Sequence, residues 1–127
     1  MKFSLTGRFC LRPDQKDAAY LWDILDAART ITGFIKDIPF TEYERDRKIQ
    51  MAVERGLEII GEAARLVSDG FKERHPDIPW RSIIAQRNVI AHEYGEIRQE
   101  RIWELLKNHI PGLIEKIRPL VPKPPVK

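Results

Sequence analysis

An all-α fold, a single-domain antiparallel bundle of about four to five helices, is what three features of the sequence predict. Apolar residues recur at helical rather than alternating spacing along nearly the whole chain. Gly and Pro fall mostly between those periodic segments. A length of 127 residues is also enough for one domain to bury a core without disulfide or metal staples.

Each element can be placed in order. The first helix opens near Pro13 and Asp14, where a missing N–H costs nothing, and runs to about Phe34. Ala18, Leu21, Leu25, Ala28, Ile31 and Ile35 form its apolar stripe, and Lys16, Asp17, Asp23, Asp26 and Arg29 its polar face. Asp37 to Phe40 breaks the pattern. Thr41 followed by Glu44 has the spacing of a capping box, predicting a second, long helix to about Val67 through Ile49, Val53, Leu57, Ile60 and Ala64. Gly56 and Gly61 inside it each cost ~1 kcal/mol against Ala, so their presence predicts close helix packing.

Gly70 and the group from His75 to Pro79 mark the next turn. A third helix starts at Pro79 or Trp80, carries Ile83, Ile84, Arg87, Ile90 and Ala91, and ends near Gly95. The last helical stretch, about Arg98 to Leu120, presents Ile102, Leu105, Leu106, Leu113 and Ile117, and Pro111 bends or restarts it. This places the helical domain at residues 12–120, preceded by an amino-terminal arm, 1–11. The Pro/Lys-rich segment 121–127 reads as a mobile tail. Met51, Trp22, Trp80 and Trp103 read as helix-spaced packing residues.

Charge excludes one class of function. The formal charge is +3, but the basic excess sits in residues 1–12 and 116–127, and the body between them carries 15 bases against 19 acids. That body is no broad basic platform, so any contact with RNA must be local. The single cysteine, Cys10, has no disulfide partner. No apolar run suits a membrane span, and the start MKFSLTGRFCL lacks a secretory h-region, so a cytoplasmic protein is expected.

One segment concentrates reactive groups. Arg87, Asn88, His92 and Tyr94 put a permanent cation, an amide, an imidazole and a phenol within eight residues. Cleaving RNA without a metal needs a base for the 2′-hydroxyl, a cation for the phosphorane oxygens and an acid for the leaving 5′-oxygen. His92 can serve as base or acid near neutrality, and Arg87 offers a forked, always-charged phosphate ligand. At ~100° per residue, however, Arg87 and His92 point ~140° apart, whereas Asn88 and His92 share a face. One copy looks incomplete on this geometry: either the reach of Arg87 and a distorted helix end close the gap, or two chains build the pocket jointly, the arrangement favoured because it also supplies two histidines.

Spacing alone leaves a structural reading open: a helix-end histidine can cap carbonyls, and Arg87 can pair with Glu58 or Glu62. His75 and His109 lack ligand-spaced partners, so no metal and no cofactor is expected. The cluster Glu44, Arg45, Asp46, Arg47, Lys48 reads as a solvated face at a helix start.

Arg87, His92 and Tyr94 together resemble the RX4HXY signature of HEPN-domain ribonucleases, and the HepT toxin family in particular. The similarity extends over Tyr20 to Leu25, Asp46 to Lys48, Leu57 to Ala64 and His75 to Trp80, roughly residues 12–118. The resemblance implies a HEPN-like homodimer that cleaves RNA at the subunit interface, encoded beside an MntA-type minimal nucleotidyltransferase antitoxin. It implies that Arg87 and His92 carry catalysis with Asn88 beside them, and that the antitoxin adds AMP to Tyr94. An adenylate there would add negative charge and bulk next to the catalytic pair. The competing function is a non-catalytic helical partner or substrate subunit of the nucleotidyltransferase, with Glu93 beside His92 as its support; a purely structural dimeric bundle is the third.

Overall fold

The computed structural model describes residues 13–122 except 93–98, and leaves the side chains of residues 13–14 and 87–92 outside the description. The proposed arm, with Cys10, and most of the tail therefore lie outside the described residues, as do Tyr94 and Gly95. Every regular element among the described residues is helical: α1 (Pro13–Phe34), α2 (Phe40–Arg45), α3 (Arg47–Leu66), α4 (Asp69–Arg74), α5 (Trp80–His92), α6 (Gln99–Asn108), α7 (Ile110–Ile117) and a closing 3-10 turn, Arg118–Leu120. Among them, no helix is long and apolar enough to cross a membrane.

α3 is the axis of the bundle, packing along α1 on one side and α5 on the other, while α7 covers α1. Leu21, Ile24, Ala28 and Ile31 of α1 meet Val53, Leu57, Ile60 and Ala64 of α3 in the core, closed by Leu106 and Ile117. Each such Leu or Ile, fully buried, contributes roughly 1.5–3 kcal/mol of transfer free energy. The expected close packing around the glycines is present at Gly56, where an added Cβ would run into the side chain of Ile31. A β-branched neighbour in a full core cannot swing away.

The predicted first helix matches α1, and the predicted restart at Pro111 is the α6–α7 junction. Pro111 sits in the first turn of α7, where its missing N–H is no loss. Four expectations are corrected. The capping box of Thr41 and Glu44 does not form; α2 begins after Pro39 without a side-chain cap, and the long helix starts only at Arg47. Asp46 caps it, its carboxylate accepting the Ile49 N–H at 3.1 Å. So Asp46 is a cap and not merely part of a solvated charge cluster. Second, the turn around Gly70 contains α4, whose N-cap is Ser68.

Third, Asp17 belongs to the interior, not to the polar face: its relative exposure is 6%. Its two carboxylate oxygens accept from the Ser68 N–H at 2.8 Å and the Ser68 hydroxyl at 2.6 Å. The same hydroxyl oxygen accepts the Phe71 N–H at 3.2 Å. A buried carboxylate thus ties α1 to the α3–α4 turn, because only hydrogen bonds to the charged form offset its desolvation. Fourth, Trp22 and Met51 are surface residues, 40% and 56% exposed, whereas Trp80 is buried and Trp103 half-buried, as packing requires. Helical spacing cannot separate a stripe's edge from its centre.

Candidate active site

Three of the four residues singled out in sequence fall on one helix. α5 is continuous from Trp80 through His92, so Arg87, Asn88 and His92 occupy its last two turns. Their side chains are outside the described residues, and Tyr94 is outside altogether. The helix is described as far as His92, and Gly95, its expected terminator, lies outside the described residues.

What the structure describes is how that helix is held. At its start, the Trp80 indole N–H donates to the His75 carbonyl oxygen at 3.0 Å, and Ile78 is buried beside it. The His75 ring lies against Phe71, 4.4 Å between centroids, so His75 is a turn residue with a packing role. Along its length, α5 packs on α3. Its described side chains do not fill the space before α6 and α7. A cavity of about 230 Å³ separates them, with Pro79, Ser82, Ile83 and Gln86 on one wall, Leu105, His109, Ile110 and Leu113 on the other, and Leu57 and Ile60 as the floor. The exposed His109 is at its rim.

α6 begins at Gln99, in a polar cluster that local sequence reading missed. The Tyr43 hydroxyl donates to Gln99 Oε1 at 2.6 Å, and Gln99 Nε2 donates to Glu54 Oε2 at 2.8 Å. Arg47 lies 3.6 Å from the same Glu54 oxygen. Gln50, itself buried, donates from Nε2 to the carbonyls of Tyr43 at 3.0 Å and Glu44 at 2.9 Å. The Tyr43 ring is enclosed by Phe40 and Trp103, with centroids 6.2 and 5.2 Å away. Burial pushes the Tyr43 phenol well above its ordinary value, the negative charge of Glu54 adds to this, and Arg47 partly opposes it. The hydroxyl therefore stays a donor. No motif signals the cluster, because Tyr43 and Gln99 are 56 residues apart.

A second cleft, about 330 Å³, lies between α1 and α3 and is lined by Tyr20, Asp23, Arg55, Glu58, Ile59 and Glu62. Burial, reinforced by Asp26, raises the Asp23 carboxyl. Glu58 pairs with Arg55 at 3.4 Å and Glu62 with Arg65 at 2.7 Å. Among the described residues, no three His, Cys, Asp or Glu side chains are grouped to hold a metal ion.

Comparison with known proteins places this arrangement. The profile described as HepT-like, Ribonuclease HepT-like, matches residues 24–120. The probable ribonuclease HepT of Thermococcus cleftensis is 40% identical over 102 residues, 78% of this chain and 93% of its own. A protein of Methanocaldococcus jannaschii named "Putative RNase" is 36% identical over 99 residues, covering 78% of this chain and 91% of the relative. One of the same name from Caldanaerobacter subterraneus subsp. tengcongensis is 33% identical over 104 residues, covering 82% and 93%. No solved structure gives a significant match. With the profile spanning α1 to the closing 3-10 turn and identities of this size over most of both chains, the protein belongs to the HepT-like ribonuclease family.

Proposed function

We propose that this protein is a metal-independent endoribonuclease whose chemistry is carried by Arg87 and His92, with Asn88 beside them. The observation that carries the reading is the coincidence of family membership with Arg87, His92 and Tyr94 at the spacing of the family signature, on and just after the last turns of α5. One imidazole takes the proton of a 2′-hydroxyl, the 2′-oxygen attacks the adjacent phosphorus, and the bond to the 5′-oxygen breaks as that oxygen receives a proton. The products are a 2′,3′-cyclic phosphate and a free 5′-hydroxyl. Arg87 offsets the charge on the non-bridging oxygens. Two proton transfers call for two groups, and on a continuous helix residues 87 and 92 sit ~140° apart. A homodimer that brings two copies of the segment together supplies both needs.

The same reading makes the protein the toxin of a toxin–antitoxin pair, silenced when an MntA-type nucleotidyltransferase adds AMP to Tyr94. The physical rationale is electrostatic and steric: each adenylate brings a negative phosphate to a site that must admit a phosphodiester. Purified, unmodified protein incubated with total RNA in EDTA tests the enzyme. Cleavage should be present, end in cyclic phosphate, and fall at least ~100-fold in His92→Ala. Cleavage that is absent, or that His92→Ala leaves unchanged, rejects it. Mass spectrometry of the chain co-expressed with a neighbouring nucleotidyltransferase tests the switch, which predicts a gain on Tyr94 in adenylate steps.

A further inference from the structure

We propose that the α2–α3 corner is a docking subsite for the backbone of the RNA substrate, where Arg45 and Lys48, with Arg47 between them, hold phosphates near the end of α5; this role rests on the nuclease reading above. The three cations bind substrate. They take no part in breaking the bond.

The corner stands at the same end of the bundle as His92. The Phe71 ring, on the short helix that follows α3, lies 6.3 Å from that of Trp80, the first residue of α5. α5 therefore starts where α3 ends, and it packs back along α3. Leu57 and Ile60 of α3 line one cavity with Ile83 and Gln86 of α5, which sets the register of the pair. At ~1.5 Å per residue, Gln86 to His92 advances ~9 Å along the bundle, and Leu57 back to Lys48 covers ~13.5 Å in the same direction. The end of α5 and the start of α3 thus differ by only ~5 Å in level, on helices whose axes lie ~8–10 Å apart. That relation holds whatever path the chain takes after His92.

The chemistry of the corner suits a run of phosphates. An open cleft of about 650 Å³ is lined there by Arg45, Arg47 and Lys48, together with Thr41, Glu42 and Asp46. Of the two acids, Asp46 commits its carboxylate to the Ile49 N–H at 3.1 Å, capping α3. Arg47 lies 3.6 Å from Glu54, yet its side chain is 67% exposed. Arg45 and Lys48 are exposed and form no ion pair among the described residues, whereas Arg55, Arg65 and Arg118 each meet a glutamate on their own helix face. Cations left without acids on a wide, polar surface match a solvated polyanion better than an enclosed ligand. A body that carries 15 bases against 19 acids needs such a local patch to draw RNA toward its site.

The test compares two charge removals of equal size. Arg45→Ala with Lys48→Ala strips the corner. Lys16→Ala with Arg81→Ala takes the same charge from exposed residues near the starts of α1 and α5, at the opposite end, where Asp17 meets Ser68 just past α3. Kinetics are read on a single-stranded oligoribonucleotide in EDTA, and binding by fluorescence anisotropy with each pair placed in a His92→Ala background. The corner pair should raise KM and Kd ~5-fold or more at ~100 mM salt, with kcat within ~2-fold of wild type. It should also flatten the slope of log Kd against log salt by about 1, as expected when two phosphate contacts are lost from a single strand. The opposite-end pair should leave KM, Kd and kcat within ~2-fold. Circular dichroism establishes which variants are folded; should the corner alanines not fold, Arg45→Gln with Lys48→Gln takes their place with the same expectations.

Wild-type cleavage that depends on His92, together with a folded corner pair that binds RNA as tightly as its parent, overturns the subsite and leaves the nuclease standing. An equal loss in the opposite-end pair, or a fall in kcat at unchanged KM, likewise overturns it. Wild-type protein that cuts no RNA, or cuts it regardless of His92, ends the nuclease reading and the subsite with it.

Discussion

The two flanks of α3 are built on different physics. On the α1 side the packing is dense and apolar: Ile31 fills the space that a side chain at Gly56 would need, and Asp17, the only buried carboxylate among the described residues, accepts two hydrogen bonds from Ser68. On the α5 side, among the described residues, a cavity of about 230 Å³ lies before α6 and α7, and α6 starts in the polar cluster of Tyr43, Gln99 and Glu54. The contrast separates a frame held by close packing from a flank held by a few polar contacts. A close-packed interface resists displacement in every direction, whereas a hydrogen-bonded one defines position by a few oriented contacts. α5, the helix whose last turns carry Arg87 and His92, borders the less filled side.

Three measurements sharpen or break that contrast, in order of expected size. The largest effect belongs to the dense flank. Gly56→Val should lose about 3 kcal/mol of unfolding free energy in urea, because the added branches collide with a buried Ile31 that has no space to retreat into. A loss below about 1 kcal/mol would mean that α1 and α3 can separate, and that the two flanks are alike.

Next is the buried carboxylate. Asp17→Ala removes both bonds to Ser68 and leaves α4 with a weakened start, so a loss of about 2 kcal/mol is expected in the same assay. Asp17→Asn should recover part of it, since the amide oxygen can still accept the Ser68 N–H. An unchanged midpoint for the alanine variant would show that the clamp is incidental to the frame.

The smallest effect distinguishes the polar flank by pH. The Tyr43 phenol is raised above its unfolded value of 10.0. A raised acid keeps its proton in the folded state after the unfolded chain has lost it, so stability is constant below pH 10 and declines as pH climbs beyond it. About 1 kcal/mol should be lost between pH 10 and 11, and Tyr43→Phe should flatten that decline. The same slope in the phenylalanine variant would assign the alkaline loss to some other group.

Much of the helical order could be read directly from the residues. Pro13 opens α1, Trp80 opens α5 and Pro111 restarts the last stretch, each signalled within one turn of the chain. The candidate site is legible in the same way, since Arg87, His92 and Tyr94 are neighbours in sequence at the spacing of the family signature. What misled was also local. Thr41 and Glu44 have the spacing of a cap, but Asp46 does the capping, one short helix later. Asp17 shares a polar face by period alone until Ser68, 51 residues away, is folded against it.

By itself, then, the order of residues determined most of the helical segments, where the first, the Trp80 and the Pro111 helices begin, and which eight residues hold the candidate reactive groups. Those properties depend on interactions within a turn or two of one helix, which apolar period and Pro placement express directly. Only the tertiary structure decided that Gly56 is filled by Ile31, that Asp17 is interior, that a cavity lies before α6 and α7, and that Gln99 is met by Tyr43 and Glu54. Each of these joins side chains far apart along the chain, and nothing in the spacing of either partner encodes the other until packing brings them within reach of a hydrogen bond or a methyl contact.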